Sequence, residues 1–185
     1  VGPWLAHLFD DVITVDAHLH RVNRLEEAIP ATTAINLSAT SAMADFLRER
    51  CRNPLLVGPD EESLQWVAAV AEPDGLDYVV GEKIRHSDRA VELQLPDVDF
   101  SGREVVLVDD MITTGRTVHQ TAKLVFARHP KKLGVLVTHG LFVNHAEAEL
   151  RSAGVSRIWS TDSLSHSTNV ITLGKLLAGA LQDLH

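Results

Sequence analysis

Short apolar runs, rich in β-branched residues, recur along the chain between longer amphipathic stretches. They predict six strands: DVITVD (11–16), PLLVGP (54–59), LDYVVG (76–81), EVVLVD (104–109), KLGVLVTHG (132–140) and VSRIWST (155–161). Strands that are apolar almost throughout are typical of parallel sheets covered on both faces. Their alternation with helical stretches predicts an α/β fold, a mostly parallel sheet flanked by helices, in one domain over residues 1–185.

Amphipathic helices are expected between these strands. They are predicted over 41–50, 61–72, 116–129 and 145–154, with a last helix over 173–184. In the first of them Met43, Phe46 and Leu47 fall on one face, as a helix packed on a core requires. Gly154 is a candidate for the residue that ends the fourth helix.

The charge balance argues against several classes of partner. The 185 residues include 17 Lys and Arg against 25 Asp and Glu, a formal net charge of −8, and no block of basic residues. A nucleic-acid groove or an anionic membrane surface is therefore not expected. The single Cys51 cannot form an internal disulfide, and no apolar run or signal peptide indicates a membrane or secreted protein. We expect a cytoplasmic protein.

Chargeable residues follow the predicted strands. In open parallel sheets, ligands bind beyond the carboxyl ends of the strands. The residues found there are Asp16, His18, His20 and Arg21 after the first strand, Asp60 after the second, Lys83 and Arg85 after the third, Asp109 and Asp110 after the fourth, and Thr138 and His139 after the fifth. A core alone would not need polar residues at so many strand ends, so their concentration predicts a binding site.

The stretch VVLVDDMITTGRTV (105–118) gives this site its chemistry. The turn of Thr113–Thr117 lies between a strand predicted to end at Asp109 and a helix predicted to start near Arg116. Backbone N–H groups of such a turn, together with the positive end of the helix, form an anion site, and a glycine allows close approach of the backbone. Asp109 and Asp110 would repel a phosphate, but they suit the hydroxyls of an attached sugar or a hydrated Mg²⁺.

This stretch resembles the phosphoribosyl-pyrophosphate loop of type I phosphoribosyltransferases and ribose-phosphate pyrophosphokinases. The motifs VDAHLHR (15–21), VGPDEESLQWV (57–67), EKIR (82–85) and THGLF (138–142) with STDSLSHS (160–167) occur in the same order as in the pyrophosphokinases. The likeness is strongest to archaeal-type members and covers nearly the whole chain. It implies a type I phosphoribosyltransferase-like fold and transfer of the diphosphoryl group of ATP to the C1 hydroxyl of ribose 5-phosphate.

The resemblance implies a role for each matching residue. The 5-phosphate would lie on the phosphate loop, which consists of Thr113, Thr114, Gly115, Arg116 and Thr117. Asp109 and Asp110 would hold the ribose 2- and 3-hydroxyls, Asp110 partly through metal. His18 and Asp60 would contact Mg²⁺. The roles of His20 and His139 stay open.

Lys83 and Arg85 resemble the catalytic pair of the family, which clamps the diphosphoryl group. One residue separates them, so both side chains face the same side of an extended arm. HSDRAVEL (86–93) is predicted to return as a second strand. The result is a β-hairpin, termed the flag hairpin below, that could close over the site and exclude water.

Two features depart from the family pattern. Many relatives carry an acid at the position of Thr113 and a small residue at that of Arg116; both changes should favour phosphate binding. Members consist of two similar α/β halves, and this chain matches only the carboxyl-terminal half. The chain begins VGPWLAHLFDD (1–11), without an initiator Met and with what reads as the last part of a helix. We therefore expect an absent amino-terminal half, which in relatives holds the ATP base, and a homo-oligomer.

Two alternatives remain open at this point. A phosphoribosyltransferase that consumes phosphoribosyl pyrophosphate shares the loop but does not call for the His18/Asp60 pair or THGLF. A non-catalytic regulatory relative would assemble with active subunits. It could lose the Lys83/Arg85 arm, which this chain keeps.

Overall fold

The computed structural model describes residues 1–19, 24–31, 33–87 and 90–184, with the backbone alone for 85–87 and 90–91. In chain order the elements are α1 (Gly2–Leu8), β1 (Asp11–Val15), α2 (Leu25–Ala28), β2 (Thr33–Leu37), α3 (Thr40–Arg50), β3 (Leu55–Gly58), a 3₁₀ turn (Glu61–Ser63), α4 (Leu64–Ala71), a second 3₁₀ turn (Glu72–Asp74), β4 (Tyr78–Val80), β5 (Glu82–Ser87), β6 (Ala90–Gln94), β7 (Glu104–Ile112), α5 (Arg116–Phe126), β8 (Lys132–Gly140), α6 (Ala146–Ser152), β9 (Arg157–Thr161), β10 (Asn169–Ile171) and α7 (Gly174–Asp183). They form two compact units, Val1–Ala39 with Thr172–His185, and Thr40–Ile171.

The larger unit contains a six-stranded parallel sheet in the order β10-β9-β8-β7-β3-β4. Along β3, Leu55 and Val57 belong to a core cluster that includes Phe100 and residues of α5 and α6. Leu56 lies between them, points to the opposite face, and is also fully buried, while α4 contacts β3 and β7. Helices therefore flank the sheet, and the predicted α/β fold is confirmed.

The smaller unit has its own pair of parallel strands. β1 pairs with β2 in register from Asp11 opposite Thr33 to Val15 opposite Leu37. Its core centres on Leu25. The first predicted strand thus exists, but it pairs with β2, which the sequence reading missed, and not with the six-stranded sheet.

Most predicted elements are present, with shifted ends. The predicted bounds of β8 are confirmed, and Gly154, at φ +94°, follows α6 as the predicted stop. The prediction for α5 was too long, because the chain leaves the helix after Ala127 and His129 has a left-handed φ of +56°. The short strand β10 was missed.

The flag hairpin is also present. β5 and β6 pair antiparallel, with Lys83 opposite Leu93.

None of the helices in the described parts of the chain combines the length and apolar character that a membrane crossing needs.

Candidate active site

The strand that carries the two aspartates is longer than the sequence predicted. β7 runs through Asp109 and Asp110 to Ile112, so the expectation that it ends at Asp109 is wrong. The extension is stabilised by β8, because Met111 pairs with His139 and Ile112 with Gly140. Both aspartates are therefore held by the sheet and not by a loop.

The phosphate loop follows at the carboxyl edge of the sheet. Gly115 has a left-handed φ of +69° and forms the N-cap of α5, and no side chain in the described structure caps this helix. The first backbone N–H groups of α5 thus remain available to a ligand, on the positive end of the helix dipole. Thr113, Thr114 and Arg116 are exposed, and Thr117 is half-buried. This geometry fits the predicted anion site.

Replacing Gly115 with alanine should destabilise the fold by about 1–2 kcal/mol through backbone strain, since a left-handed φ disfavours a Cβ. Space is not the cause: the new Cβ would lie 3.5 Å from the Ile112 Cγ2 atom and 3.6 Å from the Ala146 Cβ atom, which are ordinary contacts. Denaturant unfolding measures the change. The matched control is Gly179→Ala in α7, where nothing lies within 4 Å and no positive φ is required. An unchanged free energy of unfolding for Gly115→Ala would contradict the assigned strain.

Asp60 lies one strand away, immediately after β3. Its carboxylate accepts a hydrogen bond from the backbone N–H of Glu62 at 3.1 Å, and the backbone N–H of Asp60 donates to the Ser63 hydroxyl at 3.3 Å. This reciprocal capping box fixes the Asp60 side chain at the start of the 3₁₀ turn. Its other carboxylate oxygen, Oδ2, lies 2.5 Å from the Nζ atom of Lys83. The flag hairpin therefore places one of the two predicted catalytic cations on a carboxylate of the site.

The carboxylates of this edge influence one another. The backbone N–H of Asp110 donates to Asp109 Oδ1 at 3.0 Å. Desolvation raises the pKa of Asp109 well above its usual range, and the charges of Asp110 and Asp60 raise it further. Asp110 itself is buried. Asp110 and Asp60, with Lys83 beside it, thus both lie near enough to Asp109 to act on it, and the strand that carries Asp109 leads into the phosphate loop.

These carboxylates fit a hydrated magnesium ion. Oxygen ligands suit this hard cation, and a cation would offset the charges of Asp110 and Asp60, which add to the effect of desolvation on the pKa of Asp109. In the described residues no group of three or more His, Cys, Asp or Glu side chains encloses a metal. Magnesium bound through one or two carboxylates, waters and substrate phosphates needs no such group. Asp60 and Asp109 would hold it.

Three residues named from the sequence are not tested by the described structure. His18 is exposed and lies in the smaller unit, so its pairing with Asp60 stays a prediction. The Arg85 side chain and the whole of His20 lie outside the described residues. Near His18 the chain is fixed by Asp16, whose Oδ2 accepts a hydrogen bond from the Ala39 N–H at 3.1 Å.

A hydroxyl network at the ends of β8 and β9 was missed by the sequence reading. The carbonyl oxygen of Thr138 accepts hydrogen bonds from the Thr161 hydroxyl at 2.7 Å and the Ser163 hydroxyl at 3.0 Å. The Nδ1 atom of His139 lies 2.9 Å from the same Ser163 oxygen. The signal in the sequence was the run STDS (160–163), whose hydroxyls tie the two strand ends together. This network orients His139 at the carboxyl edge.

The parallel α/β fold, with a loop and a helix start that fit an anion at its carboxyl edge, agrees with comparisons with known proteins. The phosphoribosyl transferase domain family matches residues 27–172, and the chain belongs to this family. It is similar to a ribose-phosphate pyrophosphokinase of Methanosarcina acetivorans, with 34% identity over 82% of this chain and 54% of the relative. A second, from Methanopyrus kandleri, is 32% identical over 95% of this chain and 60% of the relative.

Solved structures show the same fold. A phosphoribosylpyrophosphate synthetase from Mycobacterium smegmatis matches with a TM-score of 0.76 at 18% identity, covering 99% of this chain and 63% of that one. An adenine phosphoribosyl transferase from Trypanosoma brucei, in complex with AMP, pyrophosphate and ribose-5-phosphate, matches with a TM-score of 0.53 at 17% identity over 75% of this chain and 76% of that one. The chain spans about half the length of the first curated relatives that it matches.

Proposed function

We propose that this chain forms the sugar-phosphate half of a ribose-phosphate diphosphokinase. The reaction transfers the β,γ-diphosphoryl group of ATP to the C1 hydroxyl of ribose 5-phosphate. The C1 oxygen forms a bond to the β-phosphorus, the bond from that phosphorus to the α-phosphoryl oxygen breaks, and AMP leaves as the C1 hydroxyl loses its proton. The observation that carries the proposal is the ion pair between Lys83 and Asp60 beside Asp109 and the phosphate loop.

Residues of different charge bind different parts of the substrates. The phosphate loop with the amino end of α5 takes the 5-phosphate, and Asp109 and Asp110 accept hydrogen bonds from the ribose hydroxyls. Lys83 would move from Asp60 to the diphosphoryl group, where negative charge develops, with Arg85 as its predicted partner. Magnesium, when bound, neutralises phosphate charge at Asp60 and Asp109, with His18 as a further predicted ligand.

The same observation favours this function over a phosphoribosyltransferase. Both enzyme classes need the phosphate loop, so the loop does not separate them. Diphosphoryl transfer depends on positioning and charge neutralisation, and this need explains why the flag hairpin holds Lys83 beside Asp60. The similarity to curated ribose-phosphate pyrophosphokinases supports the same choice. An amino-terminal half for the ATP base, and assembly into a homo-oligomer, belong to the proposal.

The test is AMP formation from ATP, ribose 5-phosphate and Mg²⁺. We expect it with a version of the chain that also carries the sequence encoded upstream of Val1, and we expect little turnover with residues 1–185 alone. Ribose 5-phosphate should nevertheless bind to residues 1–185, which calorimetry measures. Absence of AMP from the longer protein, or release of pyrophosphate from phosphoribosyl pyrophosphate with a purine base instead, would contradict the proposal.

A further inference from the structure

The edge of the sheet opposite the candidate active site is basic. Two cavities lie there, of about 670 Å³ and 350 Å³, and Arg50 lines both. Eight of the 17 Lys and Arg residues of the chain line the two cavities, and they are termed here the amino-edge basic strip. They are Arg48, Arg50, Arg52, Arg103, Lys131, Lys132, Arg151 and Arg157. Only Glu49 and Glu104 supply carboxylates to these linings. A chain with a net charge of −8 thus concentrates positive charge at one edge.

Parallel strand topology builds the strip. Neighbouring strands β3, β7, β8 and β9 all start at this edge, and each is preceded or begun by a basic residue. These are Arg52, Arg103, Lys132 and Arg157. Adjacent strands lie about 4.8 Å apart, so the backbones of β3 and β8, which flank β7, are roughly 10 Å apart. Residues distant in sequence thereby form one row.

Several cations of the larger cavity are not neutralised by carboxylates. Arg48 pairs with Asp45 and Asp74, Arg103 pairs with Asp77, and Lys132 pairs with Glu104, with an Nζ–Oε1 distance of 2.8 Å. Arg50, Arg52 and Lys131, by contrast, form no ion pair with the described residues.

The remaining contacts of this cavity hold its wall in place. Arg50 packs over the ring of Phe46, 5.5 Å from its centroid. Glu104 accepts a hydrogen bond from the Arg52 N–H at 3.2 Å. Its pKa is lowered, mainly by the Lys132 hydrogen bond. The wall is therefore fixed, while three charges face solvent.

We propose that the larger of these cavities, at the amino edge of the sheet, binds a polyphosphate through a chain of phosphoryl groups. Consecutive phosphoryl groups can contact more of the cations that line this cavity than a single phosphate can. The cavity volume lies within the range of small-molecule sites. No aromatic ring lines it, so a nucleobase would find nothing to stack on. A nucleoside polyphosphate and an inorganic polyphosphate share this chemistry. The site lies apart from the phosphate loop and does not depend on the proposed function.

The chain contains its own reporter for this site. Cys51, its single cysteine, lines the larger cavity and is half-buried. Burial, and then the charge of Glu104, raise the pKa of the thiol. A bound polyanion would cover Cys51 and further disfavour the thiolate, which is the form that reacts. Alkylation therefore reports on this cavity and not on the phosphate loop.

The experiment measures the alkylation rate of Cys51 by iodoacetamide at mildly alkaline pH and low ionic strength, with inorganic tripolyphosphate as the probe. We expect tripolyphosphate to slow alkylation about tenfold or more at saturation, and added salt to weaken the protection. In the Arg52→Ala/Lys131→Ala variant, half-protection should need at least tenfold more tripolyphosphate, since each charge-assisted contact contributes about one order of magnitude. Lys123→Ala/Lys175→Ala removes two lysines outside the cavity and should match the wild type.

Two further arms make the test decisive. Glu104→Gln removes a carboxylate from the wall and should lower the tripolyphosphate concentration for half-protection, the opposite of the arginine and lysine changes. If ATP protects Cys51 at a lower concentration than tripolyphosphate does, the ligand of the cavity is a nucleoside polyphosphate. If the two protect Cys51 equally, the cavity recognises the phosphate chain alone.

Three outcomes would overturn the proposal. The first is absence of protection in the wild type. The second is protection that survives Arg52→Ala/Lys131→Ala but disappears in Thr114→Ala/Arg116→Ala, which would place the anion on the phosphate loop. The third is protection by a single-stranded oligonucleotide and not by tripolyphosphate.

Discussion

Replacing Lys83 with alanine is expected to lower the rate of AMP formation by about 10²–10³-fold, the usual effect of removing one group that stabilises transition-state charge. Lys83 Nζ pairs with Asp60, whereas the 5-phosphate is assigned to the phosphate loop, so ribose 5-phosphate should bind with nearly unchanged affinity. Steady-state kinetics on the longer protein and calorimetry with ribose 5-phosphate measure the two effects.

The controls for Lys83 separate chemistry from folding. The Lys83 side chain is 42% exposed, and such ion pairs contribute at most about 1 kcal/mol to stability, so the melting temperature should hardly change. Lys123→Ala removes an exposed lysine on α5 and should keep full activity. Weaker sugar-phosphate binding without a rate defect would refute the role assigned to Lys83.

The Gly81→Ala variant is expected to lose about a hundredfold in turnover although residue 81 carries no reactive group. Gly81 lies between β4 and β5, and its N–H donates to the Gly58 carbonyl oxygen at 2.9 Å. An added Cβ would lie 2.5 Å from the Pro59 carbonyl oxygen, so the backbone must shift. Pro59 precedes Asp60, and Gly81 stands two residues before Lys83. The shift therefore separates the two partners, and a displacement near 1 Å can reduce a rate by about 10²-fold.

A double variant tests whether Gly81 acts through Lys83. If it does, Gly81→Ala/Lys83→Ala should be no slower than Lys83→Ala alone. Overpacking should also lower the free energy of unfolding by about 1–3 kcal/mol, which denaturant unfolding measures. Gly179→Ala provides the control for a glycine with free space. Additive rate losses in the double variant, or full turnover in Gly81→Ala, would contradict this account.

Element ends were the least predictable part of the fold, and β7 shows why. Adjacent aspartates disfavour a strand, so the sequence predicts that β7 ends at Asp109. In the structure β8 supplies partners up to Gly140, and this pairing extends β7 to Ile112. Tertiary pairing overrides local propensity here. The failure to predict β2 has a related cause, because β2 forms a strand through its pairing with β1.

The candidate site was partly predictable. The phosphate loop, its glycine and the start of α5 follow from local sequence, because a turn before a helix exposes N–H groups whatever surrounds it. The hydrogen bonds that Thr161 and Ser163 donate to the carbonyl oxygen of Thr138 could not be predicted, since they join two strand ends more than 20 residues apart.

The apolar runs, which a sheet covered on both faces can bury, specify the parallel α/β fold, and consecutive local residues specify the phosphate loop. Which charges meet depends on the tertiary arrangement. It placed Lys83 on Asp60, set Asp60 and Asp110 near enough to Asp109 to raise its pKa, and gathered the amino-edge basic strip. The physical reason is that parallel strands start at one edge and end at the other, so electrostatic neighbours are selected by strand order and not by sequence distance.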